Sequence, residues 1–454
     1  MLTLRALVPS LDRGTVDPDL SIKDVTVNRV VTDSRQVSTG DMFVALIGER
    51  DDGHNYIKEA ITAGACAILA QRWPIGLEVE AVTKVIVDDT GQALRQMAKG
   101  WRQRHRVEVV GITGSVGKTS TKEAIATLLS TKFKVLRSQG NFNTEIGVPL
   151  TLLELDESHQ KAVLEMGMYV PGDIALLCTL ADPDVGVVTN VGPTHMERTG
   201  SLQATAKAKR ELVMSLTKDD FAVLNGDDPL VLSMSDCTRA ETIIYGTQLG
   251  HDLWSENLRT NGLAGIEFTM HWQDEKIEVE TPLVGRHSVY TAMAASAVAL
   301  SQGFSLREVA LGLRELVDAN RIKILKGLME STILDDTYNA SPASCIAALD
   351  LLSQLEGEKI AVLGDMLELG EAEEAGHREV GRRVAATADH LITLGARARI
   401  IADEARKRGL RHVEAVDTHD EAIKAIRGVM RQRSNILVKG SRGLAMENIV
   451  RGLA

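Results

Sequence analysis

Gly111-Ile112-Thr113-Gly114-Ser115-Val116-Gly117-Lys118-Thr119-Ser120 places glycine at every third position ahead of a Lys-Thr pair, and its reading decides the fold. Without side chains, the glycines let the backbone curl until successive N–H groups converge on anionic oxygens, and Lys118 adds a mobile positive charge. Gly114, Ser115, Val116, Gly117, Lys118, Thr119 and Ser120 are therefore expected to cradle the phosphates of a nucleoside triphosphate, with the Thr119 hydroxyl offered to Mg²⁺. The spacing is a variant of Gly-x-x-x-x-Gly-Lys: Ile112 stands where the first glycine belongs, and Gly114 supplies the extra turn.

The flanks agree with that chemistry. Val107-Glu108-Val109-Val110 is short and β-branched and predicts a strand, while Ala124, Ile125, Leu128 and Leu129 recur at helical spacing. A strand, a glycine loop and a helix in that order is the setting phosphate binding requires.

Composition narrows the classes. At 454 residues the chain exceeds what one hydrophobic core serves, so several domains are expected. A formal net charge of -11 and 3% aromatic residues argue against nucleic-acid and membrane-surface binding. Cys66, Cys178, Cys237 and Cys345 lack metal-knuckle spacing and read as reduced thiols of a cytoplasmic protein. Arg5, Asp12, Arg13 and Asp17 interrupt any apolar run that could serve as a signal peptide. The window from Val289 to Leu306 is short and carries Thr291, Ser296, Ser301 and Gln302, which predicts a buried helix and no membrane insertion.

The chain reads as α/β in three domains. Residues 1–106 form a small α/β unit, residues 107–318 a P-loop domain built on a mostly parallel sheet, and residues 319–454 a Rossmann-like, doubly wound domain. Ligands in such sheets lie beyond the carboxyl ends of the strands. Glu165 closes the strand-like Ala162-Val163-Leu164, and His195 follows Val185-Gly186-Val187-Val188, so both emerge where a metal-bound triphosphate would lie. A lone acid ending an apolar strand is costly unless paired, and Mg²⁺ would meet that need, as would a neighbouring Lys or Arg. The His195-Met196-Glu197 pattern matches half of a zinc-deaminase signature, but no Cys-x-x-Cys follows it.

Several longer motifs then fall in one order: Asp33-Ser34-Arg35, the phosphate loop, Gly140 to Gly147, Leu164 to Met168, Thr189 to Glu197, Asp335 to Pro342, Leu363 to Gly370 and Val438 to Arg442. Together they resemble the Mur ligases of bacterial peptidoglycan synthesis, and the last three are similar to those of the branch that adds D-alanyl-D-alanine to UDP-N-acetylmuramoyl-tripeptide. The resemblance implies an ATP-dependent amide ligase, acting as a monomer in cell-wall precursor synthesis, that passes through an acyl phosphate. It implies ATP and two Mg²⁺ ions, with Thr119, Glu165 and His195 holding metal and Lys118 and Asn143 acting in catalysis. Lys209 is matched to a carbamylated lysine that joins the metal site, and His287, Arg321 and Asp336 to ATP-binding positions. Asp33, Ser34 and Arg35 match the uridine-nucleotide end of the first domain; read without the other motifs they form a capped turn. The third domain would close on ATP and bind the incoming dipeptide.

Four positions depart from that pattern: Ser288 and Thr291 stand where the family places adenine-contacting asparagines, Gly226 where it has alanine, and Asn320 where it has glycine. Two other readings are weighed. The ligase adding the third stem residue carries a different motif where this chain has Asp336-Thr337-Tyr338-Asn339. A nucleotide-gated binding protein would hydrolyse ATP without needing both acceptors.

Overall fold

The computed structural model describes residues 2–11, 25–48, 51–79, 82–193, 196–316 and 322–454. Its strands form three sheets. The first has four strands in chain order, Val30–Val31, Met42–Val44, Ala67–Ala70 and Thr83–Ile86, all parallel. Met42–Val44 and Ala67–Ala70 are buried at every position, as expected of parallel strands covered on both faces.

The second sheet has nine strands, in the order Glu275–Thr281, Ile266–Trp272, Leu253–Thr260, Glu241–Gly246, Phe221–Asn225, Val185–Val188, Glu108–Thr113, Lys161–Glu165 and Val135–Arg137. Glu241–Gly246 pairs parallel with both its neighbours and Val135–Arg137 parallel with Lys161–Glu165, whereas Ile266–Trp272 runs antiparallel to both Leu253–Thr260 and Glu275–Thr281 and forms a hairpin with the latter. The strand leading to the glycine loop runs past Val110 to Thr113, because Ile112 and Thr113 are β-branched and wholly buried. Gly111 therefore belongs to the strand, and the turn begins at Gly114. The helix Lys118–Leu129 packs against Ser288–Ser301, whose middle is lined by buried alanines from Ala292 to Ala299. Among the described residues, no helix is long and apolar enough to cross a membrane.

The third sheet runs Lys323–Lys326, Thr332–Asp336, Asn435–Lys439, Lys359–Gly364, His390–Leu394, His412–Val416, parallel but for the first strand. Its two faces bury separate cores, with Ala361 and Leu363 in one and Ile360 and Val362 in the other. That period of two is what a sheet covered by helices on both sides demands.

By compactness the chain forms two units, residues 1–111, 132–168 and 172–186 in one, and 112–131, 169–171 and 187–454 in the other. Within the first, the helix Thr90–Arg102 reaches well beyond the four-stranded sheet: Trp101 Nε1 donates to the Leu155 carbonyl at 3.0 Å and Arg102 Nε to that of Ala181 at 2.9 Å.

Candidate active site

The glycine loop owes its shape to the segment after Val185–Val188. Ser115 N–H donates to the Asn190 carbonyl (2.9 Å) and Val116 N–H to Asn190 Oδ1 (2.9 Å), while Asn190 Nδ2 and Thr189 Oγ1 both donate to the Val116 carbonyl (2.8 Å each). Ser115 Oγ donates to the Gly192 carbonyl (3.0 Å) and accepts from Gly192 N–H (2.8 Å). Gly114 has φ +152°, and a Cβ there would lie 1.8 Å from Thr189 Oγ1, so no side chain fits. Gly117, at φ +86°, opens the helix Lys118–Leu129 with no side-chain cap, and a Cβ built on it meets nothing within 4 Å.

An uncapped helix start leaves backbone N–H groups for an anion. Asp89, Ser201, Ser305, Ser341 and Thr418 cap five other helices by accepting from backbone N–H groups at their starts, while Asp173–Ala181, Ser288–Ser301, Glu373–Ala385 and Arg399–Lys407 also start without a side-chain cap; Lys118–Leu129 differs from these in following the stapled glycine loop. The Lys118 ammonium folds back, donating to the Gly114 carbonyl at 2.7 Å and the Ser115 carbonyl at 3.4 Å.

Beyond the loop lies a cleft of about 620 Å³, counting its open mouth. Val116, Gly117 and Ser120 line it from the loop side, Val284, His287, Ser288 and Thr291 from the start of the helix Ser288–Ser301, and Asp336, Ser344 and Lys439 from the six-stranded sheet and its helix Pro342–Ser353. The sequence-predicted residues Val116, Gly117, Ser120, His287 and Asp336 are thus gathered on one cleft. Ser288 Oγ donates to the Val284 carbonyl at 2.6 Å, which commits its hydrogen inside its own chain turn. A Cβ on Gly226 would lie 2.5 Å from both Ile244 Cγ2 and His251 Cε1, so the local packing explains why glycine replaces alanine there. The adjacent Asp227 carboxylate accepts from Thr247 N–H (2.8 Å), Thr247 Oγ1 (2.6 Å) and Tyr290 OH (2.9 Å), which ties the helix Ser288–Ser301 to the nine-stranded sheet.

Two lysines matter here. Lys209, on the helix Leu202–Ser215, is 2% exposed; burial pushes its ammonium well below the ordinary lysine range, and the nearby Lys118 charge pushes the same way. Among the described residues its side chain makes no hydrogen bond or ion pair. Lys439, equally buried, donates to Asp336 Oδ2 at 2.6 Å and to the Asn339 carbonyl at 2.8 Å. Neither Lys439 nor Asn190 is singled out as a site residue by sequence. The signal for Lys439 was a basic residue ending the apolar strand Asn435–Lys439; Asn190 gave none.

In the first unit, Glu165 is 4% exposed, with Oε1 accepting from Asn143 Nδ2 at 2.8 Å, so these two predicted residues are paired. Gly167 N–H donates to the Asn143 carbonyl (2.8 Å), which fixes that asparagine. Asp33 caps the turn Ser34–Gln36, accepting from Arg35 N–H at 3.1 Å, and its carboxylate accepts from Arg35 Nε at 2.9 Å and Nη2 at 2.7 Å. The Arg35 guanidinium holds the Asp33 carboxyl below the usual carboxylate range. His195, Arg321 and Asn320 lie outside the described residues.

Among the described residues, no group of three or more His, Cys, Asp and Glu side chains could hold a metal alone. Mg²⁺ keeps much of its shell in water and substrate phosphate oxygens and takes one or two protein oxygens. The Thr119 hydroxyl and the Glu165 carboxylate are hard donors of that type.

Three family models match: the Mur ligase family catalytic domain over residues 26–102, the Mur ligase middle domain over 112–299, and the Mur ligase glutamate ligase domain over 320–442. The chain is 38% identical to the UDP-N-acetylmuramoyl-tripeptide--D-alanyl-D-alanine ligase of Bacillus subtilis (strain 168), over 95% of this chain and 94% of that one. Among solved structures it is similar to MurF from Acinetobacter baumannii, with TM-score 0.85 and 30% identity over 95% of this chain and 94% of that one. It is also similar to the MurF ligase of Thermotoga maritima in complex with ADP, with TM-score 0.81 and 30% identity over 95% and 98% of the two chains.

Proposed function

We propose, from the premise that this chain belongs to the Mur ligase family, that it joins D-alanyl-D-alanine to UDP-N-acetylmuramoyl-tripeptide with ATP, forming ADP and phosphate in peptidoglycan precursor synthesis. The observation that carries this reading is the stapled loop Gly114–Gly117 opening an uncapped helix into a cleft whose other walls include Asp336 and Lys439.

A carboxylate resists an amine because its charge repels the nucleophile and its oxygen is a poor leaving group. Transfer of the γ-phosphoryl group to the tripeptide's terminal carboxylate yields an acyl phosphate; the dipeptide amine adds to that carbonyl, and phosphate leaves as the amide forms and a proton is released. Such transfer needs placement and charge neutralisation more than covalent help. The amides at the start of Lys118–Leu129 receive the phosphates, and Lys118 swings from the Gly114 and Ser115 carbonyls onto the transferred group. Asn143 orients Glu165 through its amide. Thr119, Glu165, His195 and a carbamylated Lys209 would hold two Mg²⁺ ions, which neutralise phosphate charge when bound. A neutral Lys209 amine is the form that captures CO₂, and its burial favours that form.

Asp336 serves the ribose, Arg321 the phosphates, and His287 the nucleotide wall of the cleft. Asp33, Ser34 and Arg35 meet the uridine nucleotide, and residues 1–106, 107–318 and 319–454 divide the work of substrate, ATP and dipeptide binding. The enzyme acts as a cytoplasmic monomer.

The test incubates the purified chain with ATP, Mg²⁺, UDP-N-acetylmuramoyl-tripeptide and D-alanyl-D-alanine, following ADP release and product mass. ADP release that requires both acceptors, with a product equal to their sum less one water, is expected. Turnover that ignores the acceptors would overturn the reading.

A further inference from the structure

The carboxyl edge of the six-stranded sheet carries a side-chain pair that the nucleotide chemistry leaves unused. Thr332–Asp336 and Asn435–Lys439 are parallel neighbours, so the loops that follow them, 337–341 and 440–444, leave the same edge side by side. Lys439 clamps that edge through Asp336 and the Asn339 carbonyl. One step further out along these loops are Tyr338 and Arg442, with the guanidinium carbon 5.1 Å from the centroid of the tyrosine ring. Tyr338 is 43% exposed and Arg442 is exposed. Among the described residues the Arg442 side chain makes no hydrogen bond and no ion pair.

A guanidinium stacked on a ring has its plane held while its N–H edge stays open, and that edge matches a carboxylate in a two-pronged grip. The backbone beneath it is pinned. Ser441 Oγ accepts from Leu367 N–H at 2.9 Å, and Ser441 N–H donates to the Asp365 carbonyl at 3.0 Å. The loop from Asp365 continues to Glu368, whose carbonyl accepts from Met196 N–H at 3.0 Å. The same edge therefore borders both the nucleotide cleft, through Asp336 and Lys439, and the segment that follows the loop-stapling residues Thr189 to Gly192.

We propose that Arg442, held by Tyr338, is the specificity-determining residue for the incoming dipeptide and binds its C-terminal carboxylate. This rests on the ligase reading given above. The dipeptide must attack with its amine neutral, so the carboxylate at its far end is its one remaining charge. Two extended residues span at most about 7 Å, so gripping that end also aims the amine. A cation there rejects a dipeptide whose carboxylate has been capped.

The test compares D-alanyl-D-alanine with its C-terminal amide as acceptors for the full chain, with ATP, Mg²⁺ and UDP-N-acetylmuramoyl-tripeptide saturating. The wild-type protein should prefer the acid in kcat/KM by on the order of 100-fold, the scale of a charge-assisted two-point contact. Arg442→Met should bring the acid down to the level of the amide while leaving KM for ATP unchanged, and Arg442→Lys should recover part of the preference. Tyr338→Leu keeps the charge, removes its platform and should lower the preference several-fold, which tests the idea even if Arg442→Met folds poorly. An acid-to-amide ratio unchanged in Arg442→Met and Tyr338→Leu sinks the Arg442 assignment alone. No ligation of either dipeptide by the wild-type chain sinks the ligase reading and this inference with it.

Discussion

Lys209 and Lys439 are the same residue type at the same depth, 2% and 1% exposed, yet the fold provides for them in opposite ways. Lys439 has a carboxylate at 2.6 Å and a carbonyl at 2.8 Å. Lys209 has neither among the described residues and feels the positive charge of Lys118 instead. A buried ammonium needs compensation, and one denied it gives up its proton. The pair teaches that burial alone does not assign a lysine's role. With a counter-ion it is a strut; without one among the described residues, burial tilts it towards the neutral amine.

The sharpest way to break this contrast is to remove the strut. Lys439→Met takes the ammonium away from the buried Asp336 carboxylate, and loss of one partner of a buried pair costs about 3–5 kcal/mol, to be read from denaturant unfolding. Adding Asp336→Asn to that variant should recover much of the loss; equal destabilisation in both variants would mean that the pair is not the strut described. Next in size is Lys209→Ala, expected to lower ligation by roughly 100-fold, the scale for disrupting support of a bound metal. Small added carboxylates should restore part of it, and an active, unrescued variant would remove Lys209 from the site.

The pH dependence sharpens the same point. The folded Lys209 value lies below the ordinary 10.5, so folding must expel or bury a proton at any pH beneath 10.5. That cost is absent above 10.5, grows as pH falls and levels off below the folded value. Lys209→Met should therefore stabilise the nucleotide-free chain more at pH 7 than at pH 10. In ¹³C-bicarbonate a carbamate signal missing from that variant should appear well below pH 10.5 and fade on acidification.

Asn190→Ala removes one acceptor and one donor from the loop and should raise KM for ATP by roughly 10-fold, as for one or two lost hydrogen bonds. The smallest effect is expected at the base end of the cleft. Ser288→Ala should change KM for ATP by less than about 3-fold, because its hydroxyl already serves the Val284 carbonyl and a satisfied local bond is worth little net.

What was legible in the sequence was whatever has a local cause. The loop between strand and helix and the buried helix from Val289 each announce themselves within a few residues by glycine spacing or periodicity. Leu253–Thr260 hides from a periodicity reading because Glu256 and Arg259 interrupt its apolar pattern. Asn190 meets Val116 across 74 positions and Lys439 meets Asp336 across 103, and no window of sequence carries such a partnership. The Asn143–Glu165 pairing was equally invisible, although each residue could be singled out through its own motif.

The staples from Thr189, Asn190 and Gly192 have one more consequence. Chain entropy that a floppy glycine loop would surrender on meeting a triphosphate has already been given up during folding, so the encounter costs little ordering. An unstapled loop with the same residues would bind more weakly while touching the ligand identically.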